Sequence, residues 1–288
     1  MIPDARRNHP AFLLVYGAEN ILVDCGEGTQ IQFRKAHLNP CKVTKILITH
    51  WHGDHTFGLP GFLRTLATSG YNKKLEIYGP RGFKKHMDEM FTAFGDINEY
   101  KIEIHEINSS GKFFENSEFA LEAEKMIHVQ PCNAYNFVAK GHSRIDKGKM
   151  KKLKLPQGRH LSELKRGKDI TLNGKKFKAK DLLFSEEDRK VSFVMDTKLN
   201  ARIVPFVKDA DLLVSEATFG KGDEKLAAAY QHLTVEQAAT IAKRAHVKKL
   251  CITHLSARND SNIKGFLADA KKIFPSTFLP RDLEEISI

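Results

Sequence analysis

Cysteine is scarce in this chain. Cys25, Cys41, Cys132 and Cys251 are the four in 288 residues, and no two stand in a CxxC spacing. Their apolar, strand-like neighbours mark them as small buried hydrophobes in a reducing compartment, with a metal role for Cys132, four residues after His128, as the alternative. Long apolar runs are missing too. None reaches the roughly 18–20 residues that a membrane helix needs, and the first residues lack the basic-then-apolar pattern of a secretory leader. The expectation is a cytoplasmic chain with no membrane segment. Its length allows one large domain or two small ones, with a sizeable core that needs no disulfides.

Acidic residues are lacking in one place. The formal net charge is +11, yet residues 140–180 alone hold 15 Lys or Arg against Asp146, Glu163 and Asp169. That segment accounts for the whole excess and leaves the rest nearly neutral. A concentrated positive charge calls for an acidic partner, and nucleic acid is the commonest. Residues 140–190 are also rich in glycine and poor in apolar positions. Two readings fit them: a solvated insertion, or an arm that grips a polyanion. The short clusters LKLP and HLSELK suggest some local folding.

Elsewhere strand-like runs alternate with helical stretches. AFLLVY (11–16) and NILVD (20–24) read as a hairpin. KILIT (45–49), KLEIY (74–78), KIEIHEI (101–107), EFALEAE (118–124), AYNFVA (134–139), VSFVMD (191–196), DLLVSE (211–216) and KKLCIT (248–253) follow. Residues 61–69, 81–94, 200–207, 234–245 and 260–274 read as helices, with Thr234 and Gln237 forming a capping box. This mixture predicts an α/β layered fold with two sheets.

Residues 48–60, ITHWHGDHTFGLP, carry the chemistry. His50, His52, Asp54 and His55 form an HxHxDH pattern at the end of a strand. Side chains at 50 and 52 can share one side of an extended segment. Gly53 is expected to permit a tight bend that brings Asp54 and His55 to a neighbouring point. Imidazole and carboxylate suit zinc or a similar ion, and two offset clusters suit two ions. His128, Asp196 and His254 also follow strand-like runs, which selects them as the remaining ligands over His37, His86, His105, His142, His160 and His246.

These stretches resemble the metallo-β-lactamase superfamily and, within it, the ribonuclease Z family. The resemblance rests on DCGEGTQ (24–30), ITHWHGDHTFGLPG (48–61), HVQPCNAY (128–135), MDT (195–197), ADLLVSEATF (210–219), HLT (232–234) and ITHLSAR (252–258). It implies an αββα sandwich over residues 1–288, with its first strand missing or truncated and an inserted basic tRNA-binding arm at about 140–190. It implies two zinc ions per subunit, one on His50, His52, His128 and Asp196, the other on Asp54, His55, Asp196 and His254. It implies removal of the 3′ trailer from precursor tRNA by a hydroxide held between the metals. Asp54 then serves as base, and Glu216 with His232 protonates the leaving ribose oxygen. Asp24 is a candidate for orienting a ligand histidine, with a salt-bridging or turn-capping role as the alternative. The family also implies a homodimer in which one subunit's arm serves the other's active site.

The chain departs from the family pattern in several places. Ser215 and Leu233 replace the His of HEAT and the Ser of HST. Pro156, Gln157, Gly158 and Arg159 stand for PxGP, and Ala5 replaces the Lys of PxKxRN. The competing functional readings are a general phosphodiesterase or other hydrolase of the superfamily, and a non-catalytic RNA-binding protein.

Overall fold

The computed structural model describes residues 7–288, so Ala5 lies outside the described residues. The chain divides into two compact units. The larger holds residues up to Phe114, Leu121–Phe137 and Lys190–Ile288, and the smaller holds Glu115–Ala120 and Val138–Arg189.

In the larger unit, β1 (Phe12–Tyr16), β2 (Glu19–Val23), β3 (Lys45–Leu47), β4 (Leu75–Pro80) and β5 (Ile102–Ile107) form one sheet in chain order. Among the described residues β1 is the first strand. It pairs antiparallel with β2 as the hairpin expected, and the later pairs are parallel. Helices α1 (Thr29–Lys35), α2 (Gly53–Thr56), α3 (Leu59–Thr68) and α4 (Phe83–Phe94) lie between these strands. Phe62, Leu63 and Leu66 of α3 and Phe83 and Met87 of α4 are buried against Ile46 and Ile77. Their i, i+3, i+4 spacing gives each helix one apolar face.

The second sheet begins with β6 (Gly111–Glu115), β7 (Phe119–Met126) and β8 (Cys132–Ala139). The smaller unit then supplies two two-stranded pairs. One joins β9 (Ser143–Ile145) to β12 (Leu183–Ser185), the other β10 (Ile170–Leu172) to β11 (Lys175–Phe177). It also holds α5 (Lys147–Lys152), α6 (Leu161–Lys165) and α7 (Ala179–Leu182). Leu155, Leu164, Ile170, Phe177, Ala179 and Leu182 are buried together there. The basic segment is thus folded around its own small core, not a plain solvated insertion. Lysines, glycines and other polar residues separate these few apolar anchors, which hides the period of the elements in the sequence.

The chain returns to the second sheet with β13 (Arg189–Val194), β14 (Leu212–Glu216), β15 (Lys249–Thr253) and β16 (Thr277–Phe278), all parallel. Between them run α8 (Ile203–Phe206), α9 (Glu224–Tyr230), α10 (Val235–Arg244) and α11 (Ile263–Ile273). The Thr234–Gln237 capping box is present at α10, and Ala238, Ile241 and Ala242 are buried with Leu213 and Leu250. Phe12 of the first sheet meets Phe193 of the second at 6.0 Å between ring centroids, and Tyr16 meets Phe137 at 5.3 Å. Helices cover the outer face of each sheet, which makes the αββα sandwich expected. Parallel pairing has one consequence for the site: Val194 pairs with Ser215, and Glu216 with Thr253. The residues that follow these strands therefore emerge side by side at one end.

Candidate metal centre

His50, His52, His128 and Asp196 present donor atoms within 4.8 Å of one another, and so do Asp54, His55 and His254. All seven residues selected from the sequence meet at one end of the sandwich. In the first group His50 Nε2 lies 2.9 Å from His52 Nδ1, and His52 Nδ1 lies 3.2 Å from His128 Nε2. In the second, His254 Nε2 is 3.2 Å from Asp54 Oδ2 and 3.3 Å from His55 Nε2. Asp196 joins the groups. Its Oδ2 is 3.5 Å from His50 Nε2 and 3.8 Å from His128 Nε2, and its Oδ1 is 3.5 Å from His55 Nε2 and 3.3 Å from His254 Nε2.

Hydrogen bonds behind the cluster decide which nitrogens face inward. Asp24 accepts from Thr49 N (2.8 Å), Thr49 Oγ1 (2.9 Å) and His55 Nδ1 (2.7 Å). It therefore orients a clustered histidine, one of the two roles open to it. Because Thr49 spends its only hydroxyl proton on Asp24, His50 Nδ1 donates to Thr49 Oγ1 at 3.1 Å. Thr218 repeats the device. Its hydroxyl donates to Glu216 Oε2 at 2.7 Å and accepts from His254 Nδ1 at 2.9 Å. His128 Nδ1 donates to the Gln231 carbonyl at 3.2 Å. In the neutral rings of His50, His55, His128 and His254 the second nitrogen therefore turns a lone pair toward the cluster.

Lone pairs aimed at one another at about 3 Å repel unless a cation lies among them. Asp196 Oδ1 is also buried without a hydrogen-bond partner. Imidazole nitrogens with two carboxylates are a donor set for zinc-like divalent ions, so the residues fit such a group. Burial lowers the pKa of His50, His52 and His128 and keeps them neutral donors. Burial opposes a charge on His55, yet Asp196 and Asp24 raise its pKa. That positive ring, with the hydrogen bond of His254 to Asp54, holds the Asp54 and Asp196 carboxyls well below their usual range against burial, a role that a bound cation would take over.

His232 stands beside this cluster. Its Nδ1 is 3.1 Å from both Glu216 oxygens, and its Nε2 is 4.0 Å from Asp196 Oδ2. Burial lowers the His232 pKa, but the hydrogen bond and charge of Glu216 outweigh that effect and raise it. Glu216 Oε1 also accepts from Thr197 N at 2.7 Å. Thr49, Thr218 and the Gln231 carbonyl are functional groups that the sequence does not reveal. Threonines occur too often to stand out, and a carbonyl leaves no mark in side-chain patterns.

Gly53 opens α2, where the chain passes from extended His52 into the helix that carries Asp54 and His55. It does so without a positive φ, and a Cβ there would run into the ring of Phe57. A second close approach lies nearby. Cys25 N donates to His55 O (2.8 Å), and Gly58 N to Cys25 O (3.0 Å). A Cβ on Gly58 would collide with the Gly26 carbonyl, a fixed main-chain group. Gly58→Ala is therefore expected to destabilise the protein by about 1–3 kcal/mol and to loosen Asp54 and His55. Denaturant midpoints and metal content measure the two effects.

Residues 5–124 match the family model for the metallo-beta-lactamase superfamily. The ribonuclease Z of Streptococcus sanguinis (strain SK36) is 39% identical over 275 residues, spanning 93% of this chain and 89% of that protein. The chain belongs to the ribonuclease Z family. A second ribonuclease Z, from Lactococcus lactis subsp. lactis (strain IL1403), is 38% identical over 272 residues, again 93% of this chain and 89% of that protein. Among solved structures, the short form of human tRNase Z superposes with a TM-score of 0.71 at 25% identity, covering 100% of this chain and 95% of that one. As a ribonuclease Z family member with this His/Asp cluster, the chain is a hydrolase that depends on divalent metal. Among the described residues no helix is long and apolar enough to cross a membrane.

Proposed function

We propose that this chain is a metal-dependent endoribonuclease that removes the 3′ trailer from precursor tRNA in the cytoplasm, leaving a 3′-hydroxyl on the tRNA and a 5′-phosphate on the trailer. The observation that carries this reading is Asp196, whose two oxygens face two separate sets of donors in a ribonuclease Z family chain. We assign one zinc ion to His50, His52, His128 and Asp196, and a second to Asp54, His55, His254 and Asp196. Divalent cations held there supply Lewis acidity and make water nucleophilic at neutral pH.

The protein's own groups do the rest. Asp54, kept ionised, takes the proton that the attacking water gives up. His232, protonated with the help of Glu216, gives its Nε2 proton to the departing ribose 3′ oxygen. The bond from phosphorus to that oxygen breaks as the water oxygen bonds to phosphorus. Lys and Arg of the 140–190 arm hold the tRNA through phosphate contacts that carry no sequence preference, which suits an enzyme serving many tRNAs. The working form is a homodimer.

The test is cleavage of one precursor tRNA with both new ends mapped. A cut that leaves the stated ends, lost on chelation and restored by zinc, supports the reading. Intact precursor at measured full metal occupancy overturns it. A second prediction concerns the arm. Lys147, Lys149, Lys151 and Lys152 on α5 are exposed. Changing all four to Gln is expected to weaken tRNA binding and to reduce the salt slope of log K by about 0.7–0.9 for each phosphate that is no longer neutralised. Turnover of a small phosphodiester stays unchanged. A parallel fall in both activities removes the arm from substrate binding.

A further inference from the structure

The single tryptophan of the chain sits between two of the clustered histidines. Side chains alternate along the extended segment His50–Trp51–His52. With both imidazoles turned to the cluster, the indole turns away from it, against the core shared by α3, α4 and the first sheet. There it meets Phe83 edge-on, at 5.4 Å and 69°. It lies flat against His86, at 5.0 Å and 10° between ring planes. His86 Nδ1 is 3.5 Å from Glu89 Oε2, further along α4.

The main chain on either side of Trp51 is held by hydrogen bonds. Thr49 N donates to Asp24, and Thr49 O accepts from Asn133 N at 2.9 Å. His52 O accepts from His55 N at 3.0 Å and from Thr56 Oγ1 at 2.9 Å. Among the described residues no hydrogen bond reaches the main chain of Trp51. Its ring contacts are what fix this residue, and through it the angle between two neighbouring donors.

We propose that the Trp51–His86 stack is a positioning device for the metal centre. It holds His50 Nε2 and His52 Nδ1 at their 2.9 Å approach before an ion arrives. A ligand pair held in place in advance loses less freedom on binding, so the stack raises affinity without touching the ion. His86, not selected as a ligand from the sequence, thereby gains a role. The inference rests on the metal-centre reading above.

The test is zinc titration of metal-free protein against a competing chelator, with Trp51 emission recorded in parallel. His86→Ala is expected to weaken one of two binding steps by about 3–10-fold, the scale on which one aromatic pair acts. Trp51→Ala weakens the same step by about 10–100-fold, as removal of a ligand's outer support does. Trp51 emission rises in His86→Ala, because an imidazole no longer lies against the indole. His86→Phe, which restores a ring, returns affinity to within about twofold of the original. The melting temperature of metal-free His86→Ala stays near that of the parent, since the His86 side chain is 39% exposed. Should Trp51→Ala not fold, Trp51→Phe carries the same expectation at the size given for His86→Ala. Unchanged affinity in the variants, unchanged emission, or a weakening that His86→Phe does not restore overturns the inference and leaves the metal centre standing. A parent protein that binds no zinc overturns both.

Discussion

Changing Asp196 to Ala lowers precursor tRNA cleavage by about 10⁴-fold or more, the scale on which removal of a member of a catalytic constellation acts. The reason lies in its place between two donor sets. His50 and His128 face Oδ2, while His55 and His254 face Oδ1. Take the carboxylate away, and each set loses its only shared anion. Two cations held by these sets would then repel with one shared negative charge fewer to offset it. Metal content is expected to fall from the proposed two ions toward one or none, because both proposed sets lose a charged ligand. Asp54→Ala, by contrast, strips a ligand and the proposed base from one set, leaving His50, His52, His128 and Asp196 in place. It is expected to abolish cleavage while retaining about one metal ion per chain. Elemental analysis separates the two variants. Full metal content and activity in Asp196→Ala would remove the bridge from the centre.

The centre is legible in the sequence because of where its residues stand. His50, Asp196 and His254 each follow an apolar run, and parallel strands carry their ends to one edge. An ionisable residue at the mouth of a buried strand is conspicuous, since burial there costs energy unless a partner offsets it. The supporting layer is less legible. Thr218 connects Glu216 to His254 through a single hydroxyl, a contact set by the crossing of two loops and not by any period in sequence. The glycines are legible only in part. A glycine in a motif signals either unusual φ or close approach, and only the fold shows that Phe57 covers Gly53 while a carbonyl faces Gly58. The arm stands out by charge, but its strands are three residues long, too short for alternation to separate them from coil.

His232→Ala separates the proposed proton donor from the proposed metal centre. It is expected to lower kcat on precursor tRNA by about 10²–10⁴-fold, the range for loss of a general acid, while metal content and KM stay near those of the parent. A ribose 3′ oxygen leaves as a strongly basic alkoxide unless protonated. A nitrophenolate needs no such help, so turnover of a bis(p-nitrophenyl) phosphodiester falls far less in the same variant. The cleaner variant is His232, not Glu216. Glu216 also accepts from Thr197 N and from the Thr218 hydroxyl that holds His254, so Glu216→Gln disturbs a proposed ligand together with the acid. The His232 side chain is 15% exposed, against 3% for His254, as suits a group that must reach substrate. Equal falls on both substrates would make His232 a support for the cluster; a fall confined to the alkoxide leaving group makes it the proton donor.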